Sequence, residues 1–285
     1  MTSNKLEIRA VDGARIDAVF NKNETRPVSG VVVFCHGFGE HSGNYKQITQ
    51  KLAMGGYASI AYDQRGHGDL RPVERLRKLQ GVIPGYRYFL DDIASVIDTA
   101  KELAPDVPVV LYGHSMGGNI VLNYLLKNGQ EICTCVVLES PWLGLHKELN
   151  ALVKFLVKLS GKISRRIAII NKLSPSDLTG DAEIAGGYKT DEFYHNRMSM
   201  RMLTGVLNGC NNALENASRF LIPIYIAYAK HDVIVSNEAI GRFIGDAGEN
   251  VLHKEYNSHH AIRNDKDRET LFTDVLGFLN SNLSD

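Results

Sequence analysis

The 285-residue chain has no surplus of charge of either sign: 32 Lys and Arg balance 32 Asp and Glu, for a formal net charge of zero. Nucleic-acid binding needs a basic stripe to neutralise phosphates, so no nucleic-acid partner is expected. Long hydrophobic runs are lacking too. No uninterrupted apolar stretch approaches the ~18 to 20 residues that span a bilayer. Met1 to Ala10 carry charges and lack an apolar core segment, so no secretory signal is expected either. Cysteine is scarce, at four residues. Cys133 and Cys135 are too close in sequence for an easy mutual bridge, and Cys35 is embedded in an apolar run. That usage fits buried free thiols in a reducing cytoplasm, the expected location. A Cys-x-Cys metal pair would need a partnering Cys/His set of matching spacing, which the chain lacks, so no metal and no organic cofactor is expected. Internal repeats and low-complexity tracts are missing as well.

What is present is a chain with 44% hydrophobic residues, enough for one large core with or without an insertion. Lys5 to Val11 and Ala14 to Asn21 alternate apolar and polar around Asp12-Gly13, a hairpin pattern. After it, short continuous apolar runs alternate with helical periodicity. Strands are expected at Val31–Cys35, Tyr57–Tyr62, Val107–Tyr112 and Ile132–Leu138. Helices are expected at Tyr45–Met54, Tyr88–Leu103 and from Asn119 to Lys127. Such alternation implies parallel βαβ units and an open sheet covered on both faces. The rhythm breaks from Pro141 to about Ser218, where helical segments replace buried strands; one spans 145–159, with apolar residues at 145, 149, 152, 153, 156, 157 and 159. It resumes with a strand at Ile222–Ala229, a helix at Asn237–Ile244, a strand at Val251–Tyr256 and a final helix at Asp267–Leu283. The expected organisation is a core made of 1–140 and 220–285, with 141–219 as a helical cap.

The strand before Gly113-His114-Ser115-Met116-Gly117-Gly118 and the helix after it place a Gly-x-Ser-x-Gly motif where a nucleophile elbow requires it. A serine on that turn has strained backbone geometry and a hydroxyl standing clear of the sheet. Residues two before and two after it are expected to approach each other too closely for side chains, hence glycine at both. The following helix directs its unpaired N–H groups at an oxyanion forming beside the serine.

A serine hydroxyl needs a base, and the base an orienting carboxylate, in the chain order Ser, acid, His. Asp232 lies just past the Ile222–Ala229 strand and is the expected acid; Asp246 falls in or after a helix, a worse position. The base should follow the last strand, where His259 and His260 compete. Neighbours in a loop cannot be separated by periodicity. His231 beside the acid and His253 inside the strand are poorer candidates. For the oxyanion, the expected donors are the backbone N–H groups of Met116 and of Phe38, in the glycine-rich loop His36-Gly37-Phe38-Gly39.

Together these residues resemble the α/β-hydrolase fold, and within it the monoglyceride lipase and lysophospholipase branch. The resemblance is carried by His36-Gly-Phe-Gly-Glu-His-Ser-Gly-Asn-Tyr45, Asp63-Gln-Arg-Gly-His-Gly68, Gly113-His-Ser-Met-Gly-Gly118, Ser140-Pro141, Tyr188-Lys-Thr-Asp191, and Asp232 with His260. It runs over nearly the whole chain. That branch's base opens a segment similar to His-Glu-Ile-x-Asn-Glu. His260-Ala-Ile-Arg-Asn-Asp265 fits this register, so the resemblance implies His260 as the base. Glu40, His114 and Tyr188, within its motifs, are expected at the substrate site. Two positions depart from the pattern: Asn44 stands where monoglyceride lipases usually carry the Arg of the glycerol-binding end, and Gly66-His-Gly-Asp-Leu70 lacks the loop's serine. Both bear on the alcohol, not on the ester chemistry.

The expected function is that of a serine carboxylic-ester hydrolase working through an acyl-enzyme on monoacylglycerol or lysophospholipid-like esters. The alternatives are a short-chain or aromatic-acid esterase, a peptidase on the same scaffold, or a binding module that kept the fold without catalysis. The partner is a small ester or lipid, with peripheral membrane contact through the cap; the sequence leaves the oligomeric state open.

Overall fold

The computed structural model describes residues 1–70, 80–150, 153, 157, 159, 167–170 and 173–283. In chain order the strands are β1 (Thr2–Arg9), β2 (Arg15–Lys22), β3 (Gly30–Cys35), β4 (Tyr57–Tyr62), β5 (Val109–His114), β6 (Cys135–Glu139), β7 (Ala168–Ile170), β8 (Arg197–Ser199), β9 (Ile224–Ala229) and β10 (Val251–Tyr256). The helices are α1 (Lys46–Met54), α2 (Arg87–Leu103), α3 (Met116–Asn128), α4 (Pro175–Leu178), α5 (Ala182–Thr190), α6 (Met200–Glu215), α7 (Asn237–Ala247) and α8 (Arg268–Leu283). Eight strands form one sheet in the order β1-β2-β4-β3-β5-β6-β9-β10. β2 runs antiparallel to both its neighbours and the other ladders are parallel.

The apolar runs become central strands because both faces are covered. All six residues of β3 are buried, and they divide by the two-residue period of a strand. Val31, Val33 and Cys35 enter one core, Val32 and Phe34 the other. The alternation repeats in β6, with Val136 and Leu138 on the first side and Cys135 and Val137 on the second. Helices α2, α3, α6 and α7 close the first core; α1 and α8 close the second. The expected mostly parallel, doubly covered sheet is therefore what forms.

α3 is buried along its whole first ten residues, which an amphipathic surface helix would not be. α6 covers its outer side. Asn119 Nδ2 donates to Trp142 O at 3.0 Å and Val206 O at 3.2 Å, and Asn123 Nδ2 donates to Gly209 O at 3.0 Å. A Cβ at Gly209 would stand 2.4 Å from Asn119 Oδ1, so the close approach needs glycine there. The segment expected to cap the site thus ends in a helix that lies against α3.

Two expectations for that segment need correction. Residues 145–150 are not helical: Leu145 forms an isolated antiparallel bridge with Val235, and His146 N–H donates to Ile234 O at 3.0 Å. Backbone pairing with the loop after β9 wins over helical periodicity here. Residues 153, 157 and 159 are helical, and the other positions of 151–166 lie outside the described residues. The segment also contains a small antiparallel ladder, β7 with β8, too short and too exposed on β7 to read as a buried strand.

Candidate active site

β3, β4, β5, β6, β9 and β10 all point their carboxyl ends to one edge, where ligands sit in open α/β sheets. β5 hands over to α3 at a single residue. Ser115 has φ 52° and ψ −118°, a region that non-glycine residues rarely adopt. Its N–H donates to Glu139 O at 3.0 Å, its carbonyl accepts from Trp142 N at 2.9 Å, and its side chain makes no capping bond to the helix. The strained turn is thus held by backbone bonds to β6 and the chain beyond it. The flanking glycines approach each other as expected, a Cβ on Gly113 standing 2.8 Å from Gly117 O, and closer neighbours add to the requirement. A Cβ on Gly113 would lie 2.6 Å from Gly118 Cα, and one on Gly117 would lie 1.9 Å from Cys35 O at the end of β3. Neighbouring strand and helix backbones, together with the approach of the pair to each other, exclude side chains.

Ser115 lines a cavity of about 450 Å³, within the size range of small-molecule sites. His260 is on the same wall, and its Nδ1 is 2.6 Å from Asp232 Oδ2. Asp232 Oδ1 accepts the N–H groups of Ile234 at 2.8 Å and Val235 at 3.0 Å. Burial alone would raise the Asp232 pKa; His260 and those two N–H donors outweigh it, so the carboxyl titrates below its ordinary value. Burial likewise opposes charge on His260, but the Asp232 carboxylate prevails and its pKa is raised. The result is a basic imidazole fixed by a permanent carboxylate. No hydrogen bond joins Ser115 to it among the described residues, a looseness common in ligand-free sites. The N–H groups of Phe38 and Met116 donate to no acceptor among the described residues, so both donors beside Ser115 are available.

The competing residues have other partners. His259 gives Nδ1 and its backbone N–H to Asp265 Oδ2, at 2.8 and 2.7 Å. His231 pairs with Asn257, His253 is exposed on β10, and Asp246 faces Arg242 at the surface. Glu40 and His114 line the cavity. Tyr188 does not: its hydroxyl accepts from Asn264 Nδ2 at 2.6 Å, its ring lies 5.3 Å from Tyr194, and it is not on the cavity wall. Buried on the core side of α5, it supports the loop after His260 instead of facing substrate.

Sequence reasoning overlooked Arg263. Its side chain is 1% exposed and bridges Glu40 and Glu139, each at most 2% exposed. Arginine is rarely buried unless paired, so sequence marks it as surface. Also overlooked were Trp142, Leu173, Leu178, Val233 and Ile234, which make most of the cavity apolar, and Asp177, which adds a carboxylate. They come from distant segments with no shared motif. Among the described residues no group of three or more His, Cys, Asp or Glu side chains is placed to hold a metal ion. The four cysteines are free and buried.

A family model described as serine aminopeptidase, S33, matches residues 26–267. The chain is 27% identical to monoacylglycerol lipase of Mycolicibacterium smegmatis, covering 99% of both proteins, and 27% identical to phospholipase YtpA of Bacillus subtilis, covering 89% of this chain and 95% of the relative. An uncharacterized abhydrolase domain-containing protein of Dictyostelium discoideum is 27% identical over 90% of this chain, which spans only 27% of that longer protein. Among solved structures, a soluble variant of monoglyceride lipase from Saccharomyces cerevisiae in complex with a substrate analog superposes with a TM-score of 0.88 at 24% identity, covering 100% of this chain and 97% of that one. The fold is that of the α/β-hydrolases.

Proposed function

Because the chain belongs to the serine aminopeptidase S33 family of α/β-hydrolases, we propose that it is a serine hydrolase of lipid esters acting through Ser115, Asp232 and His260. Ser115 Oγ attacks the acyl carbon while His260 Nε2 takes its proton; Asp232 holds Nδ1–H and balances the imidazolium. The N–H groups of Phe38 and Met116 bind the oxyanion. His260 then gives the proton to the alcohol oxygen as the ester bond breaks, leaving an acyl-serine. A water activated by the same histidine hydrolyses it and returns Ser115. The observation that carries this reading is the 2.6 Å His260–Asp232 bond on the wall of the cavity headed by Ser115.

Phe38, Trp142, Leu145, Leu173, Leu178, Val233 and Ile234 suit an acyl chain, and Lys147 and Asp177 offer polar contacts for an alcohol or headgroup. Similarity to a monoacylglycerol lipase and a phospholipase supports the monoacylglycerol or lysophospholipid class. In this reading 141–219 carries the cap and meets membrane surfaces peripherally, and the free thiols fit a cytoplasmic setting. An aminopeptidase would need a carboxylate to hold a substrate ammonium; Glu40 on the wall is committed to Arg263, which leaves Asp177 for that role, and an anilide substrate tests it.

The test is hydrolysis of p-nitrophenyl esters from acetate to palmitate, with alanine p-nitroanilide alongside and Ser115→Ala as control. The expected result is a medium- or long-chain optimum, with turnover falling about 10⁴-fold or more in Ser115→Ala. Ester turnover intact in Ser115→Ala overturns the mechanism. An optimum at acetate moves the substrate to small esters, and anilide cleavage exceeding ester cleavage moves it to peptides.

A further inference from the structure

Two imidazole–carboxylate pairs, not one, stand beside Ser115. His260 Nδ1 meets Asp232, and His114 Nδ1 meets Glu40 Oε2 at 3.1 Å. The two rings are 4.9 Å apart, both buried, and both on the cavity wall. Both rings therefore face the same small space as Ser115. The second nitrogen of His114 bears on its charge, because Nε2 faces the carbonyl oxygen of His260 at 3.4 Å. A neutral imidazole has one donor and one acceptor. A ring with an acceptor at each nitrogen is in the surroundings of an imidazolium.

What distinguishes the pairs is Arg263. Among the described residues Asp232 has no cation other than its histidine as a hydrogen-bond partner, whereas Glu40 Oε1 is held by the Arg263 guanidinium. Glu40 Oε2 also accepts Gly37 N–H at 2.9 Å and the Tyr45 hydroxyl at 3.0 Å. Arg263 reaches Glu139 as well, through its backbone N–H and Nη1, both at 2.9 Å, and lies over the Tyr45 ring at 4.3 Å. Tyr112 donates to Glu139 at 2.8 Å. The charged and titratable groups around His114 are thus Glu40 on the loop after β3, Glu139 at the end of β6, Arg263 and His260 on the loop after β10, and the two tyrosines. Burial first, and Arg263 second, push His114 below the ordinary imidazole value against the pull of Glu40 and Glu139.

We infer that Arg263 is a positioning residue: by holding Glu40 it keeps His114 neutral, so that no second positive charge stands beside the imidazolium that must form on His260. This rests on the nucleophile-and-base reading given above. A protonated His114 would oppose, across 4.9 Å, the positive charge that must form on His260 in the transition state. Arg263 lies three residues after His260, so the same loop supplies the base and the cation that keeps the neighbouring imidazole uncharged.

The test is the charge state of His114, read by ¹⁵N-histidine NMR between pH 5 and 9 and assigned by the signal lost in His114→Gln. In the wild-type chain His114 is expected to titrate below the ordinary imidazole value and to be neutral above it. In Arg263→Gln it is expected to become an imidazolium, titrating about one pH unit or more higher, with kcat reduced about 10-fold or more and KM little changed. Arg263→Lys, which keeps the charge, is expected to keep His114 neutral and recover most of kcat. Arg263→Gln leaves two buried carboxylates uncompensated and can fail to fold. Arg263→Gln with Glu139→Gln removes one charge of each sign, and His114 should still become charged beside Glu40. His114 neutral in both Gln variants, or equal loss of kcat in the Lys and Gln variants, overturns the inference. Should Ser115→Ala keep ester turnover, the nucleophile reading fails while the His114 titration still reports on Arg263 itself.

Discussion

Asp232 shows how much chemistry rests on one carboxylate. It accepts two backbone N–H groups with one oxygen and the His260 ring with the other. Asp232→Asn keeps the size but offers no negative charge to the imidazolium and allows the wrong tautomer. We expect kcat to fall about 10⁴-fold. The pH profile adds a sign. The base must be neutral to act, and its pKa is raised because Asp232 overcomes burial. Wild-type kcat/KM should therefore fall as pH drops through a value above about 6.5, the ordinary histidine pKa. In Asp232→Asn burial remains and the carboxylate is gone, so this acid limb should move to lower pH. A limb that stays in place in the variant would separate Asp232 from His260 electrostatically.

Segment 191–199 is the element that joins the expected cap to the loops of the site. His195 N–H donates to Gly39 O at 3.0 Å, its ring Nε2 lies 3.1 Å from Gly66 O, and Ser199 N–H donates to Gly81 O at 2.8 Å. His41 Nε2 meets Asp191 Oδ2 at 2.8 Å. A Cβ on Gly39 would stand 2.1 Å from His195 O, at a φ of 78° that already favours glycine. The His195 ring lies tilted 4.6 Å from His67 and meets Phe38 edge-on at 5.7 Å, so this element backs the loop that carries Phe38. Burial lowers the His195 pKa from 6.5 to about 4. Its folded pKa lies below its unfolded one, so the unfolded chain takes up the proton first as pH falls. The stability it contributes is complete above pH 6.5 and is lost between 6.5 and 4, by about 3 kcal/mol. Urea unfolding across that window should show the loss, and His195→Asn should reduce the slope. An unchanged slope would mean the ring is already protonated or solvated in the folded protein.

At the scale of the whole molecule, exposed apolar side chains are unevenly spread. Val153, Leu159, Ile167, Ile169 and Ile170 all belong to one stretch, with Ile170 72% exposed. The same stretch carries Lys147, Lys154, Lys158, Lys162, Arg165 and Arg166 in its sequence. No described helix is long and apolar enough to cross a membrane. Apolar and basic residues together suit the surface of an anionic bilayer, at about 1 kcal/mol per basic side chain near it. The protein should co-sediment with vesicles containing phosphatidylserine, less so at high salt, and Ile169→Asp with Ile170→Asp should weaken the binding. Failure to co-sediment at low salt would make these residues ordinary exposed apolars.

The sequence by itself determined what depends on local pattern. A continuous apolar run required a strand covered on both faces at Tyr57–Tyr62, which coincides with β4 to the residue, and Val251–Tyr256 coincides with β10, an edge strand with four exposed residues. Glycines around Ser115 required a turn that leaves no room for Cβ atoms. Chain order pointed to Asp232, while only the resemblance, through the register of His260-Ala-Ile-Arg-Asn-Asp265, favoured one of two adjacent histidines. Tertiary structure alone decided what depends on which distant groups share a dry space. It gave His259 to Asp265, turned Tyr188 away from the cavity, replaced helix by a bridge at Leu145, and buried Arg263 between two glutamates. Each outcome turns on desolvation and pairing between segments 76 to 223 residues apart, or on a choice between neighbours in one loop, and neither is written in local periodicity.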